Sequence, residues 1–379
     1  MGVFSAAFDL EKARRDATKA RVQVDEGVDP AETLREEKQR ARSEPIKTFD
    51  DLAQQYFTAT ETGRYRASGR VKRASTLANE REVYRIHIQP TFAKVRPETV
   101  TRAMVRDALE TMLNRGVTSQ ANKAQAIMRQ MLAFAVDDRE RLGVNPIAGM
   151  SAMVAERART RVYADGELKD VWRGICHPES LAIPAELAAR RRAGSKVFVG
   201  PAMRLLIQLA ILLLQRKGEI AGMARSELDL EHGVWLIPEG RMKTRRAHAV
   251  PLSPVVVELI REAIALTDGL ANSTSKFVFP SRVREQPISG PSINNALGNV
   301  LLALGIENGT VHDFRRTGST RMTSERLNVS HHIRSQVLGH LDSGGGSSVS
   351  ATHYDSNSYM DEKRRALDLW QALVLDLVG

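Results

Sequence analysis

Apolar residues recur every three or four positions through residues 49–139, with polar and charged residues between them. This period gives a helix one apolar face, so segments 49–57, 75–88, 100–113 and 119–139 are predicted as helices that pack on one another. Ser119 is a suitable N-terminal cap for the last of them. Its apolar face consists of Ala121, Ala124, Ile127, Met128, Met131, Leu132 and Ala135.

The chain after residue 200 combines a helical period with an alternating one. Residues 201–214 are almost continuously apolar and lead to Arg216, which predicts a buried helix with a charged residue at its end. Residues 233–237 and 247–252 alternate around a Pro-Glu-Gly turn and predict a hairpin. Further helices are predicted at 254–266, 292–304 and 330–338. The predicted fold class is therefore mainly α with a small β-sheet (α+β).

The C-terminal segment from Tyr359 is predicted as an amphipathic helix. Its apolar face is expected to pack against a neighbouring protomer and consists of Ala366, Leu367, Trp370 and Leu373. Charges repeat on a helical period in residues 1–46, which predicts an exposed helix that breaks at Asp29-Pro30, followed by a second charged helix.

The charge balance narrows the class of partner. The chain has 379 residues, enough for two or three domains, and its 55 Lys and Arg against 45 Asp and Glu give a formal charge of +10. Such a balance is typical of nucleic-acid binders. A single cysteine, Cys176, excludes an internal disulfide framework and a cysteine-based zinc site. No apolar stretch approaches the roughly 20 residues of a membrane span, so we expect a cytoplasmic protein with no membrane partner.

Five separated side chains suggest chemistry on a phosphodiester: Arg216, His312, Arg315, His340 and Tyr354. A guanidinium matches two phosphate oxygens, so two arginines can neutralise the charge that develops on a five-coordinate phosphorus. Histidine transfers protons near neutral pH, and a tyrosine activated by such a cluster can act as a nucleophile. No metal-ligand pattern accompanies these residues, and we expect neither a metal nor another cofactor.

The order of these motifs resembles that of the tyrosine recombinase (phage integrase) family. The matching elements are Arg216-Lys217-Gly218-Glu219, Lys243 in a hairpin, His312-x-x-Arg315, Leu338-Gly339-His340 and the downstream Tyr354. They span the chain from about Thr48 to its C-terminus. Within the family, the chain is similar to the integrases of genomic islands and satellite phages.

The resemblance implies a domain organisation. Residues 47–150 would form a helical core-binding domain of the SAM-like type, 151–165 a linker and 166–379 the catalytic domain, together a C-shaped clamp on DNA. Residues 1–46 would be either a remnant of an N-terminal arm-binding region or a helical linker.

The resemblance also implies a mechanism. Tyr354 would attack a DNA phosphate to give a 3′-phosphotyrosyl link, and Lys243 would protonate the leaving 5′ oxygen. Arg216, Arg315 and His340 would hold the phosphate while His312 assists proton transfer. Tyr359 is the alternative nucleophile, although it is better explained as a packing residue of the last helix.

Other basic residues are candidates for DNA contacts: Arg64, Arg66, Arg70, Lys72, Arg73, Arg245 and Arg246. A role of the whole hairpin in backbone contact competes with the assignment of Lys243 as an acid. The implied partners are double-stranded attachment sites, three further copies of the chain in a tetramer on DNA, and a DNA-bending protein and an excisionase as accessory factors. The site of action would be the bacterial nucleoid.

Two other functions are compatible with the residues themselves. A type IB topoisomerase uses the same phosphotyrosyl chemistry without partner strands. A non-catalytic DNA-binding regulator requires the arrangement of Arg, Lys, His and Tyr to be accidental.

Overall fold

The computed structural model describes residues 46–66, 69, 71–138, 142–155, 158–187, 195–269, 275–282, 286–340 and 359–379, together with Thr18 and Arg21. The charged helices predicted in residues 1–46 therefore lie almost wholly outside the described residues. The chain divides into two compact units, Met1–Ala158 and Arg159–Gly379. No helix in the described ranges is long and apolar enough to cross a membrane.

The described part of the first unit is helical. Its helices are α1 (Phe49–Glu61), α2 (Ala74–Val83), α3 (Gln89–Phe92), α4 (Arg102–Asn114) and α5 (Thr118–Asp137). Thr48 caps α1 by a reciprocal pair of hydrogen bonds with Asp51. The predicted continuous helix over 75–88 is interrupted by a π-helical turn at Tyr84–Ile88. Pro90, two residues after this turn, lacks a backbone N–H and so removes one bond of the regular helical ladder.

The core of the first unit centres on Tyr56 and Phe134, whose rings meet edge to face with centroids 5.9 Å apart. The Tyr56 hydroxyl donates to Gln130 Oε1 at 2.9 Å, so the polar tip of this buried ring is satisfied. Seven of the apolar positions predicted on the helix at 119–139 are buried: Ala121, Ala124, Ile127, Met128, Met131, Leu132 and Ala135. The helical period thus identified the packed face of α5 correctly.

The second unit surrounds one apolar helix. Its helices are α6 (Asp165–Cys176), α7 (Pro201–Leu213), α8 (Lys217–Ala221), α9 (Pro254–Asp268), α10 (Gly290–Ala303), α11 (Val311–Met322), α12 (His331–Val337) and α13 (Met360–Val378). Residues 205–213 of α7 are all buried. This confirms the prediction of a buried helix before Arg216.

A three-stranded antiparallel sheet lies in the same unit, in the order β1 (Leu228–Asp229), β2 (Val234–Ile237) and β3 (His248–Pro251). Strands β2 and β3 pair from Val234 opposite Pro251 to Ile237 opposite His248. The predicted hairpin is therefore present, and its connecting loop is residues 238–247. The mainly helical fold with one small sheet agrees with the predicted fold class.

The final helix α13 packs within its own chain. Trp370 is fully buried and its Nε1–H donates to the Ile211 carbonyl of α7 at 2.8 Å. Lys363 Nζ donates to the Ala249 carbonyl of β3 at 2.7 Å. The expectation that this apolar face packs on a neighbouring protomer is thereby corrected, because α7 and β3 of the same chain already cover it. An apolar face shows that a surface is buried, but not which chain buries it.

Candidate active site

Arg216 stands where α7 turns into α8. Leu214 ends α7 in a left-handed conformation, with φ of 56°. Its side chain is fully buried against Gly318 of α11, where a Cβ would lie 2.3 Å from Leu214 Cδ1. Only a glycine at position 318 lets α11 approach this turn. The close approach brings α11 next to Arg216.

The C-terminal end of α7 has carbonyls that no helical N–H can satisfy. The carbonyls of its last three residues and of the capping residue Leu214 each accept a hydrogen bond from a side chain. The pairs are Ile211 with Trp370, Leu212 with Gln371, Leu213 with Gln215 and Leu214 with Arg315. The end of α7 is thus held by side chains from three parts of the chain, and one of them is a predicted catalytic arginine.

Arg216 pairs with Glu219, three residues further on. Its Nη1 lies 2.6 Å from Glu219 Oε1, and its backbone N–H donates to Oε2 at 2.8 Å. Glu219 is buried, whereas a quarter of the Arg216 side chain is exposed (25%). The carboxylate therefore holds the guanidinium from its buried side and leaves the exposed edge accessible to a ligand.

Arg315 is almost completely buried on α11. Its Nη1 donates to the Leu214 carbonyl at 2.8 Å, and its Nη2 donates to the Leu338 carbonyl and to His340 Nε2, the latter at 2.9 Å. Burial and the positive charge of Arg216 lower the pKa of Arg315 to about 9. It keeps its charge at neutral pH, and the negative ends of two helix dipoles stabilise that charge.

His340 follows Gly339, which ends the α12 turn with φ of 56°. A guanidinium can only donate, so His340 Nε2 must be the unprotonated nitrogen in this arrangement. Partial burial, followed by Arg315 and Arg216, lowers the pKa of His340 to about 4. The imidazole is neutral at pH 7 and carries its proton on Nδ1.

His312 is exposed at the first turn of α11. Partial desolvation and the charges of Arg315, Arg316 and Arg216 lower its pKa, and Asp313 acts in the opposite direction. A neutral imidazole at pH 7 can accept a proton. His312 also contributes to the low pKa of His340, so the two rings lie in the same positive field.

The base of α11 has an anchor that sequence reasoning missed. The Asp313 carboxylate is fully buried and accepts from Arg159 Nε at 3.0 and 3.1 Å and from Thr310 Oγ1 at 2.6 Å. Tyr163 stacks on Phe314 with ring centroids 4.8 Å apart. Residues 159–163 therefore lie along the helix that carries His312 and Arg315. The pairs are about 150 positions apart in sequence and leave no local signal.

The hairpin loop reaches the His340 turn through Met242. Met242 is buried, and its Cε would lie 3.0 Å from a Cβ on Gly339. Lys243 comes next in the chain and is exposed. His248, at the other end of the loop, is buried and donates from Nε2 to the Val337 carbonyl at 3.2 Å. Its pKa falls to about 3, because of burial first and then Lys363 and Arg315.

The basic residues of this loop differ in their surroundings. Arg241 is engaged inside the unit, where its Nη1 pairs with Glu227 and its Nη2 donates to the Glu219 carbonyl. Arg245 and Arg246 are exposed, and Arg245 has a left-handed φ of 55°. Of the loop cations, Lys243, Arg245 and Arg246 are accessible to a ligand.

The candidate DNA-contact residues of the first unit differ in their exposure and in their partners. Arg66 is exposed, Arg64 and Arg73 are half-buried, and Arg70 lies outside the described residues. Lys72 requires a correction. Its ammonium lies 2.7 Å from both Glu80 oxygens and 2.6 Å from the Tyr56 hydroxyl, with 12% of the side chain exposed. The structure does not support a phosphate contact by Lys72, because its charge is already neutralised inside the unit.

Of the two candidate nucleophiles, the structure describes Tyr359 but not Tyr354. Tyr354 lies in residues 341–358, outside the described residues. Tyr359 begins α13 with a left-handed φ of 50°, and its ring meets the His332 ring edge to face at 4.8 Å. The structure therefore gives Tyr359 a packing contact on α12.

The predicted residues 216, 312, 315 and 340 meet at the N-terminal turn of α11 and the C-terminal ends of α7 and α12. At neutral pH the two histidines are uncharged and Glu219 balances one of the two arginines, so the cluster carries about one net positive charge. A phosphodiester carries one negative charge at this pH, so the two charges would balance. The cluster is thus of the class that can bind an anion such as a phosphodiester beside two neutral histidines.

Comparisons with known proteins agree with this class. The sequence pattern of the phage integrase family matches residues 200–344. Prophage integrase IntZ of Escherichia coli (strain K12) is 30% identical over 316 residues, which are 83% of this chain and 69% of that protein. The chain belongs to the phage integrase family and is a site-specific tyrosine recombinase. This relationship favours a recombinase over a topoisomerase.

Solved structures of low sequence identity share the fold. Lambda integrase (residues 75–356), crystallised as a dimer bound to a COC′ core site, has a TM-score of 0.56 at 16% identity, covering 82% of this chain and 98% of that one. A lambda integrase tetramer bound to a Holliday junction has a TM-score of 0.56 at 17% identity, covering 96% of this chain and 89% of that one.

Proposed function

We propose that Arg216, Arg315 and His340 bind the scissile phosphate of a DNA attachment site, and that Tyr354 attacks it. The observation that carries this proposal is the meeting of three distant segments in one cluster, with Arg315 bonded to His340 at 2.9 Å. Arg216 and Arg315 carry like charges that repel each other, and Glu219 balances only one of the two. A phosphodiester between them removes that repulsion.

The donors of Arg315 set how it would hold the phosphate. A guanidinium has five N–H groups, and three of them serve Leu214, Leu338 and His340 in the described part of the chain. The remaining donors can reach a phosphate oxygen. His340 would release Arg315 and turn a protonated nitrogen toward a second oxygen. The hydrogen bond between Arg315 and His340 thus holds both side chains close to the positions from which they would bind the phosphate.

The proposed covalent step exchanges one phosphodiester for another. The Tyr354 oxygen loses its proton to neutral His312, the acceptor that we assign, and bonds to phosphorus. The bond from phosphorus to the 5′ oxygen breaks, and Lys243 gives that oxygen a proton. A 5′-hydroxyl of a second strand reverses the step. The two linkages are similar in energy, so the mechanism requires neither ATP nor a metal.

The domains follow from this proposal. We assign residues 47–150 to a core-binding domain, 151–165 to a linker and 166–379 to the catalytic domain, with 1–46 as an arm-binding remnant or a helical linker. DNA contacts are assigned to Arg64, Arg66, Arg70 and Arg73 in the first and to Arg245 and Arg246 in the second. Such contacts position the duplex without reading its sequence.

The assembly proposed on DNA is a homo-tetramer, as in the lambda integrase tetramer on a Holliday junction. Strand exchange between two duplexes cuts four strands and so uses four tyrosines. A DNA-bending protein and an excisionase are the accessory partners that integration and excision would need. The bacterial nucleoid, where the attachment sites lie, is the proposed place of action.

A suicide substrate tests the proposal. A nicked attachment site traps the covalent intermediate, because the short 5′ fragment diffuses away after cleavage. We expect Tyr354→Phe to abolish the protein–DNA adduct and Tyr359→Phe to retain it. Adducts that persist in Tyr354→Phe and vanish in Tyr359→Phe would move the nucleophile to Tyr359. Activity that is lost in EDTA would indicate a metal-dependent nuclease instead, and relaxation of a plasmid without an attachment site would indicate a topoisomerase.

A further inference from the structure

Gln215 links two helix ends that are far apart in sequence. It lies between Leu214 and Arg216 and is almost completely buried, with 3% of its surface exposed. Its Nε2 donates to the Leu213 carbonyl at 2.8 Å and to the Val337 carbonyl at 2.9 Å. These are terminal carbonyls of α7 and α12. Both hydrogens of the amide are therefore used, one on each helix.

The orientation of this amide is fixed by its two acceptors. An exchange of oxygen and nitrogen would point a carbonyl oxygen at two others, which is repulsive. The Gln215 Oε1 is buried without a hydrogen-bond partner in the described part of the chain. The side chain is thus held by its donors, and their role is to connect the two helices.

The connection has a parallel one residue further along. Gln215 bridges the carbonyls of residues 213 and 337, and Arg315 bridges those of residues 214 and 338. The C-terminal ends of helices carry partial negative charge and repel each other when they meet. Donors between them are required for close approach. One bridge is a cation assigned to the phosphate, whereas the other is neutral.

The Gln215 bridge lies beside the candidate phosphate ligands. Arg216 is the next residue after Gln215, and His340 follows Val337 by three residues. The distance between the two helix ends therefore sets the distance between the two side chains. Arg315 would serve the phosphate as well as the two helix ends, whereas Gln215 serves the helix ends alone.

We propose that Gln215 is a positioning residue for recombination: it fixes the spacing of Arg216 and His340 without touching the DNA. This inference rests on the proposed function of the site. It predicts that loss of the amide donors slows the covalent step far more than it weakens DNA binding, because a displacement of about 1 Å in a catalytic group costs roughly 100-fold in rate.

The test compares Gln215→Met with Gln371→Met in the full-length protein. Gln371 is also buried and also caps α7, at the Leu212 carbonyl, but its amide makes no bond to α12 among the described residues. Both variants lose one cap of α7, and only Gln215→Met loses the bridge. We expect Gln215→Met to lower the rate of adduct formation at saturating DNA by about 10- to 100-fold, and Gln371→Met to stay within about threefold.

Gln215→Glu supplies a second, pH-dependent readout. Its ionised carboxylate repels both carbonyls, but its protonated form can donate to one of them. We expect its adduct rate, divided by the wild-type rate at each pH, to rise as the pH falls from 8 toward 5, while the same ratio for Gln215→Met stays flat. Each rate is measured well below the melting temperature of the variant at that pH, so that the slope reports on the site and not on unfolding.

The outcomes separate the two proposals. A normal rate in Gln215→Met, or equal losses in Gln215→Met and Gln371→Met, would overturn the positioning role and leave the proposed function intact. A half-saturating DNA concentration that rises as much as the rate falls would also overturn it, because the residue would then act in binding. Adducts that persist in Tyr354→Phe contradict the proposed nucleophile whatever Gln215 does.

Discussion

Lys72 and Arg315 are both basic residues whose charged ends are bonded inside their own unit, yet their surroundings differ. Lys72 is bonded to the Glu80 carboxylate at 2.7 Å, so its charge is balanced within the first unit. Arg315 is bonded to two helix-end carbonyls and a neutral histidine. Dipoles stabilise a cation without cancelling its charge. In this pair, the cation held by dipoles keeps its charge for an anionic ligand, whereas the ammonium bonded to Glu80 is neutralised inside its unit. Arg216 also has a carboxylate partner, but it differs from Lys72 in its more exposed side chain, 25% against 12%.

The largest effect is expected when Arg315 is removed. Arg315→Ala should lower adduct formation on a suicide substrate by about 10³-fold, because a preorganised donor to the transition-state charge is lost. Arg315→Lys keeps the charge but cannot bridge both helix ends, and we expect it to be slow as well. The measurement is the single-turnover rate at saturating DNA.

Arg321→Ala is the matched control for Arg315. It removes an arginine from the same helix whose partner is Asp165 at 2.6 Å, and we expect a rate within about threefold of wild type. A loss in Arg321→Ala as large as that in Arg315→Ala would mean that α11 is merely destabilised. A nearly normal rate in Arg315→Ala would contradict the contrast with Lys72, because the arginine held by helix dipoles would then have no role in catalysis.

Lys72 should affect stability and not catalysis. Lys72→Met leaves the Glu80 carboxylate buried without its cation, so the free energy of unfolding of the first unit should fall by about 3 kcal/mol. Most of this loss should be recovered in the double variant Lys72→Met/Glu80→Met, which removes both charges. Urea denaturation of the full-length protein, followed by a probe in the first unit, measures both values.

The salt dependence of DNA binding tests directly whether Lys72 contacts a phosphate. The slope of log K against log salt concentration decreases by about one for each lost phosphate contact. We expect Lys72→Met to keep the wild-type slope and Arg66→Ala, which alters an exposed arginine of the same loop, to reduce it. A reduced slope in Lys72→Met would show that this lysine leaves Glu80 to contact DNA.

The sequence predicts which residues form the cluster better than it predicts the hydrogen bonds that position them. Arg216, His312, Arg315 and His340 were found because their spacing and order form a recognisable set, and the apolar run before Arg216 predicted its buried helix. The bonds from Gln215 to Val337 and from Arg159 to Asp313 join residues 122 and 154 positions apart. Hydrogen bonds between distant helix ends have no period, so hydrophobic patterning cannot reveal them.

The errors have the same physical origin. Lys72 was grouped with neighbouring arginines because all of them lie in a short basic stretch. Its partners Glu80 and Gln130 lie on α2 and α5, and only the packing of these helices shows that the ammonium points inward. The face of α13 was correctly predicted to be buried. Periodicity alone could not show that Trp370 would cap α7 of the same chain.

Lys243 represents a third situation, a cation that is exposed on a loop. If it protonates the leaving 5′ oxygen, Lys243→Ala should lower the cleavage rate by about 100-fold on an ordinary substrate. Replacement of that oxygen by sulfur should restore the rate to within about threefold of wild type on the same substrate, because a thiolate leaves without a proton. Single-turnover cleavage of the two substrates measures the ratio.

Arg245→Ala distinguishes this acid from a contact to the DNA backbone. Arg245 lies on the same loop and is also exposed, so its loss should slow both substrates alike and more strongly at high salt. If Lys243→Ala behaves in that same way, with no recovery on sulfur, the whole loop is a backbone contact and the proton comes from another group. Recovery confined to Lys243→Ala would instead assign the three kinds of basic residue to three roles: Lys72 to packing, Arg315 to charge stabilisation and Lys243 to proton transfer.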